Sequence, residues 1–246
     1  MDNLYAVITG ASRGIGLAVA EKFAQNGINL ALVCNNSIDK MKNACSKWGE
    51  KYSICVKCYK ADLAKEEQIL DLYSSIKKDF PRVDILVNNA GICLDKELKD
   101  RTLDDFKATM SVNLYAPFLL SKLFGYDMLD NKYGKIVNIS SNNSNKCFYP
   151  TTIDYDASKS ALNVLTKDFA IALSPYVNVN CVAPGWVNTE MNKDVLPPDV
   201  AELEAQKILK KHIASPSEIA SLVYFLTQDD FSYINGEVIT IDGGMF

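Results

Sequence analysis

Tyr155 and Lys159 stand four residues apart in YDASKSALNVLTKDFAIAL, a stretch with the composition and period of a helix. Both side chains therefore emerge on one face, one turn apart. A phenol alone titrates near pH ~10 and is a poor acid or base at neutrality, but a nearby ammonium stabilises the phenolate and lowers its pKa. The pair is expected to move a proton, with Tyr155 giving it to an oxygen such as that of a carbonyl. Just upstream, the apolar run GKIVNIS ends at Ser140-Ser141, where a parallel sheet presents its carboxyl edge and a serine hydroxyl can meet a substrate oxygen. A Ser-His-Asp hydrolase is disfavoured, because the only histidine, His212, lies in a charged segment far along the chain and no G-x-S-x-G elbow occurs.

A second constellation is TGASRGIG, with Gly10, Gly14 and Gly16 between an apolar run and a helical one. Glycines there let the backbone turn sharply and approach a pyrophosphate, whose charge meets the amides of the helix N-terminus. Their G-x3-G-x-G spacing differs from the G-x-G-x-x-G dinucleotide fingerprint. Sites for NAD usually carry an Asp or Glu at the end of the second strand. This strand ends LVCNNS instead, so Cys34, Asn35, Asn36 and Ser37 place no carboxylate where a 2′-phosphate would lie. Arg13, inside the glycine turn, offers that phosphate a planar fork of donors. NADP(H) is the expected cofactor.

Elements that hold these groups follow from the alternation of short β-branched runs with longer amphipathic ones. LYAVITG, INLALVC, YSICVKCY, VDILVNNAG, GKIVNISS, VNVNCVAPG and GEVITIDGG read as seven strands, with helical segments between them, TLDDFKATMSVNLYAPFLLSKLF among these. Nearly uniform apolar strands separated by helices predict an α/β fold: a doubly wound parallel sheet covered on both faces. No linker or repeat divides residues 1–246, so one domain is expected. The segment 186–216, with Pro197-Pro198 and a charged flank, reads as a mobile helical flap over the substrate.

With 246 residues, 48% of them hydrophobic, the chain can bury a continuous core, and a net charge of −4 leaves no surplus for a nucleic-acid backbone. No apolar run approaches the roughly 20 residues of a membrane helix. A glycine by position 10 leaves no room for a secretory signal, so the expected location is the cytoplasm. The seven cysteines then read as reduced thiols.

These residues resemble the short-chain dehydrogenase/reductase family over nearly the whole chain. The similarity is carried by TGASRGIG, NNAG at 88–91, VNLYAPF, NISS, YDASK, PGWVNTEM and IDGGMF. It implies a Rossmann-type sheet, a nicotinamide cofactor and a catalytic set of Asn113, Ser141, Tyr155 and Lys159. Ser141 would orient the carbonyl, Tyr155 act as acid, Lys159 also hold the nicotinamide ribose, and Asn113 anchor a water that relays protons to Lys159. The same resemblance lays the cofactor along Gly10, Ser12, Arg13, Gly14, Ile15 and Gly16, with Asn35, Asn36 and Ser37 at the ribose phosphate. Asp62 and Leu63 would meet the adenine; Asn89, Ala90 and Gly91 would follow the cofactor; Pro184, Gly185, Val187 and Thr189 would approach the nicotinamide. Family members usually form homotetramers, with the C-terminal segment at an interface.

Among subfamilies the chain is most similar to the 3-oxoacyl-acyl-carrier-protein reductases, so a 3-oxoacyl thioester is the leading substrate class and an acyl carrier protein a candidate partner. The basic patch such a carrier needs is thin: Ile171 and Ala172 replace an arginine and a glutamate, leaving Lys132 and Lys135. Another small ketone, a sugar or a polyol is the alternative substrate, and a catalytically silent cofactor sensor is the rival from another class. The Ser141–Tyr155 interval is one residue longer than the family commonly shows, which keeps Ser140 and Ser144 as alternative hydroxyls. Phe148, Tyr149 and Pro150 are expected at the substrate mouth.

Three further signals carry no function at this level. The thiols of CVKC, Cys55 and Cys58, fall three apart in a strand, diverge, and read as core cysteines rather than half a metal site. Cys93 and Cys147 flank the expected site with nothing nearby to lower their pKa. The charge-rich DKELKDRTLDDFK reads as a solvated helix start with Thr102 as N-cap and Asp105 three residues on.

Overall fold

A computed structural model describes residues 4–193 and 195–245 of the chain, so the terminal Phe246 of IDGGMF, the first three residues and Asp194 of the flap segment lie outside the described residues. Seven strands form one all-parallel sheet: β1 (Tyr5–Thr9), β2 (Asn29–Cys34), β3 (Val56–Lys60), β4 (Ile85–Asn88), β5 (Gly134–Ile139), β6 (Val177–Pro184) and β7 (Val238–Ile241). Their order is β3-β2-β1-β4-β5-β6-β7. The chain therefore reverses its winding between β1 and β4, and in such sheets the crevice at the carboxyl ends beside that reversal receives the ligand.

Helices cover both faces. On one face α1 (Gly14–Gln25) packs beside α8 (Pro216–Leu226), where Val19 and Phe23 share a core with Ile219 and Val223. On the other, α3 (Glu66–Asp79), α5 (Ala116–Asp130) and α6 (Ile153–Ala172) bury Leu72, Ile76, Leu120, Phe124 and Phe169 against the sheet. The central strands show why the sequence signal is continuous rather than alternating: every residue of β2, β4 and β5 is buried, because helices lie on both sides. Truncating Phe23 or Phe124, each fully buried, would cost about 3–5 kcal/mol.

The long segment read as one helix is two. The helix α4 (Leu103–Met110) passes through a π-turn (Ser111–Tyr115) into α5, whose first turn holds Pro117. Proline lacks an amide to donate and crowds the preceding turn, so the winding loosens there. The remaining helices are α2 (Ile38–Tyr52) and α7 (Pro198–Lys207), the latter within the segment expected as a flap.

The cysteines depart from expectation. Cys45 of α2 and Cys58 of β3 pair as a disulfide, with Cα atoms 7.4 Å apart, and Cys55 is exposed rather than in the core. Cys58 is directed from the sheet onto α2, whereas Cys55 precedes β3, so the two do not share a strand, contrary to expectation. Among the described residues, no helix is long and apolar enough to cross a membrane.

Candidate active site

At the carboxyl ends of the strands a cleft of about 660 Å³ runs from the end of β2 across the β1–β4 crevice to the start of α6. Its first wall is the glycine turn. Gly10 has φ +65°, and a Cβ there would meet the Asn89 amide nitrogen at 2.8 Å and the Ala90 Cα at 2.9 Å. A Cβ on Gly16 would run into the Gly10 carbonyl and the same Asn89 amide. Asn89 closes this arrangement by donating to the carbonyls of Thr9 (2.9 Å) and Gly10 (3.2 Å). Thr9, which the sequence reading passed over, fixes the opposite side: its hydroxyl accepts the amides of Asn89 and Ala90, each at 3.0 Å, and donates to the Val87 carbonyl. The apolar flanks of Thr9 give no hint of this bond.

The N-cap of α1 is Arg13, which makes no capping bond, and the first turn holds no acidic residue. The positive end of the helix therefore opens onto the cleft. Gly14, at φ +55°, faces Thr189 across the gap, where a Cβ would meet the threonine methyl at 3.2 Å. This cradle of side-chain-free backbone and unclaimed helix dipole fits a dinucleotide pyrophosphate. Ser12, Arg13, Ile15, Asn35, Asn36, Ser37, Asp62 and Leu63 line the same end of the cleft, and no residue at the end of β2 brings a carboxylate to it.

The other end is built from side chains. Ser140, Ser141, Tyr155 and Lys159 line the cleft together with Ala90, Gly91, Pro184, Gly185, Val187 and Thr189. Tyr155 and Lys159 share a face of α6, with the Lys159 nitrogen 5.5 Å from the centre of the tyrosine ring. That nitrogen donates to the Ile139 carbonyl at 2.7 Å, which ties the lysine to the end of β5. Between Ser141 and Tyr155 the chain makes two short 3-10 turns, Asn142–Ser144 and Pro150–Thr152. Ser141 lies near enough to Tyr155 to lower its pKa, and its hydroxyl also accepts the Asn143 amide at 3.2 Å. Ser140 instead donates into α6 at the Lys159 carbonyl, and Ser144 donates to the carbonyl of Ser141, so both alternative hydroxyls are engaged.

Asn113 does not line the cleft. It sits fully buried in the π-turn, accepts the Ile92 amide, and donates to the Ile92 carbonyl and the Ser158 hydroxyl. Gly91 lies between it and the lysine: a Cβ there would meet Asn113 Oδ1 at 3.3 Å and Lys159 Nζ at 3.5 Å. Gly16 also lies behind the lining, as packing between the turn and Asn89.

Electrostatically the pair differs from the expected picture. Burial pulls Lys159 down to about 8 and pushes the Tyr155 phenol above its ordinary value, offset in part by Ser141. The ammonium lies over the ring, Lys159 is buried and Tyr155 partly so, and desolvation outweighs their attraction. Tyr155 is therefore held protonated. Burial also pushes Cys93 up to about 12 and raises Cys147, keeping both thiols protonated.

A family profile described as enoyl-(acyl carrier protein) reductase matches residues 10–246. The chain is 36% identical to the 3-oxoacyl-[acyl-carrier-protein] reductase FabG of Aquifex aeolicus, over 98% of its own length and 96% of the relative's. It is 33% identical to an NAD-dependent glycerol dehydrogenase of Listeria innocua, over 97% and 92%. Among solved structures, the gluconate 5-dehydrogenase of Burkholderia cenocepacia, in complex with NADP and tartrate, superimposes with a TM-score of 0.92 at 28% identity, over 100% and 96% of the two chains. The chain belongs to the short-chain dehydrogenase/reductase family and is an oxidoreductase that interconverts CH–OH and C=O groups with a nicotinamide cofactor.

Proposed function

We propose that the protein is an NADPH-dependent carbonyl reductase whose reaction is carried by Ser141, Tyr155 and Lys159, with Asn113 supporting them. The observation that carries this reading is one cleft that joins a glycine cradle at α1 to Tyr155 and Lys159 on one face of α6. The nicotinamide, when bound, supplies hydride to the carbonyl carbon. Tyr155, kept protonated by burial, gives its proton to the carbonyl oxygen, which the Ser141 hydroxyl holds in place. Lys159, charged below pH about 8, stabilises the phenolate left behind and supplies its next proton. Asn113 fixes the loop at Ile92 and so the wall opposite α6. Arg13, with Asn35, Asn36 and Ser37, would receive a ribose 2′-phosphate, which favours NADP(H) over NAD(H).

The leading substrate class is a 3-oxoacyl thioester, the substrate class in the name of the Aquifex relative. One observation favours a substrate free of a carrier protein: Lys135, counted as part of a carrier-docking patch, is buried and bonds to Asn178 and Asp229, so Lys132 is left without it. A small ketone, sugar or polyol is the second reading. Residues 1–246 are read as one cofactor-binding domain with a substrate flap at 186–216, acting in the cytoplasm. A homotetramer is the expected assembly, for which Phe118 on α5 and Val164 and Ile171 on α6 supply exposed apolar surface.

The test is loss of reduced-nicotinamide absorbance with acetoacetyl thioesters, small diketones and keto sugars, each with NADPH and with NADH. Turnover of the thioester with NADPH is the expected result. Cofactor binding without turnover of any carbonyl would replace this reading with that of a sensor.

A further inference from the structure

The charge-rich DKELKDRTLDDFK conceals an arginine that is not solvated. Arg101 and Asp154 form an ion pair at 2.6 Å with side chains 4% and 0% exposed. The second guanidinium nitrogen donates to the carbonyls of Leu94 (2.9 Å), Lys96 (3.1 Å) and Thr151. The other Asp154 oxygen accepts the Thr109 hydroxyl of α4 at 2.6 Å. A backbone bond from Lys96 to Thr151 runs alongside.

These bonds join three pieces that share no strand: the loop after β4, whose Ile92, Cys93 and Asp95 line the cleft; the turn at 150–152; and the first turn of α6. Asp154 immediately precedes Tyr155. A buried carboxylate alone would be costly and would let its charge reach the site, whereas a planar fork that meets one carboxylate and three carbonyls fixes geometry as well as charge. At Cys93, on the cleft wall, burial and then Asp154 raise the thiol's pKa, and Arg101 lowers it by less.

We propose that Arg101 is a positioning residue: by clamping Asp154, Leu94, Lys96 and Thr151 together it sets the first turn of α6, and with it the Tyr155 hydroxyl, against the substrate loop. This rests on Tyr155 being the proton donor. Small misplacement of a reacting group costs up to about 10²-fold in rate.

The experiment uses the full chain and three variants: Arg101→Lys, the double change Arg101→Met with Asp154→Leu, and Tyr155→Phe as control. Lysine keeps the charge opposite Asp154 but cannot serve the three carbonyls; the double change removes both charges at once, which a fold tolerates better than removing one. Expected is a fall in kcat of about tenfold or more in whichever of the first two variants keeps the native melting temperature, with the Kd for NADPH within about twofold of wild type. Arg101→Lys is expected to recover part of the rate lost in the double variant. Wild-type kcat in either natively folded variant, while Tyr155→Phe is inactive, would overturn the clamp and leave Tyr155 in place. Wild-type kcat in Tyr155→Phe would remove the donor role itself.

Discussion

The two ends of the cleft are made by opposite means. Around Gly10, Gly14 and Gly16 the site is backbone: side chains are absent where another atom must come close, and the helix end supplies the charge. Around Tyr155 it is side chains, most of them buried, held by bonds that reach across the sequence: Lys159 to Ile139, Asn113 to Ile92, Arg101 to Asp154. A backbone site is intolerant of added atoms but indifferent to most charges. A side-chain site tolerates small shape changes at its edges and is sensitive to any lost hydrogen bond in its interior.

The contrast is broken most severely at Gly16. Valine there would collide with the Gly10 carbonyl and the Asn89 amide, so Gly16→Val is expected to lose NADPH binding by more than about 100-fold when followed by nicotinamide fluorescence. Retained affinity would mean that the turn is not the cofactor cradle. Arg13→Ala sharpens the contrast more gently, because Arg13 is the one charged side chain that the backbone end contributes from the glycine turn. Loss of a charge-assisted bond of about 1.5–3 kcal/mol should reduce the preference for NADPH over NADH about tenfold or more, with the Kd for NADH nearly unchanged. An unchanged ratio would remove Arg13 from cofactor selection.

What could be read in advance follows the same division. The seven strands and the glycine turn were legible because their signals are local: apolar runs, and glycines where a turn meets a helix. The pairing of Tyr155 with Lys159 was legible because a helix puts i and i+4 together. The environment of that pair was not. Burial, which raises Tyr155 and lowers Lys159, is set by packing that no spacing encodes. Arg101 hid for a similar reason: it stands among Lys96, Lys99, Asp100 and Asp104, and its partner is 53 residues away. The Thr102–Asp105 capping box beside it, a local feature, forms as its spacing predicts. Cys45 with Cys58 and the buried Lys135 are likewise long-range outcomes of packing.

The central claim is that the phenol of Tyr155 delivers the proton but is not needed to hold the cofactor. Single-turnover reduction of a ketone by NADPH-loaded Tyr155→Phe, with the Kd for NADPH measured on the same preparation, tests it directly. A rate lower by about 10²–10⁴ with Kd within twofold of wild type is the predicted result. A wild-type rate, or a loss that tracks weakened cofactor binding, would contradict it.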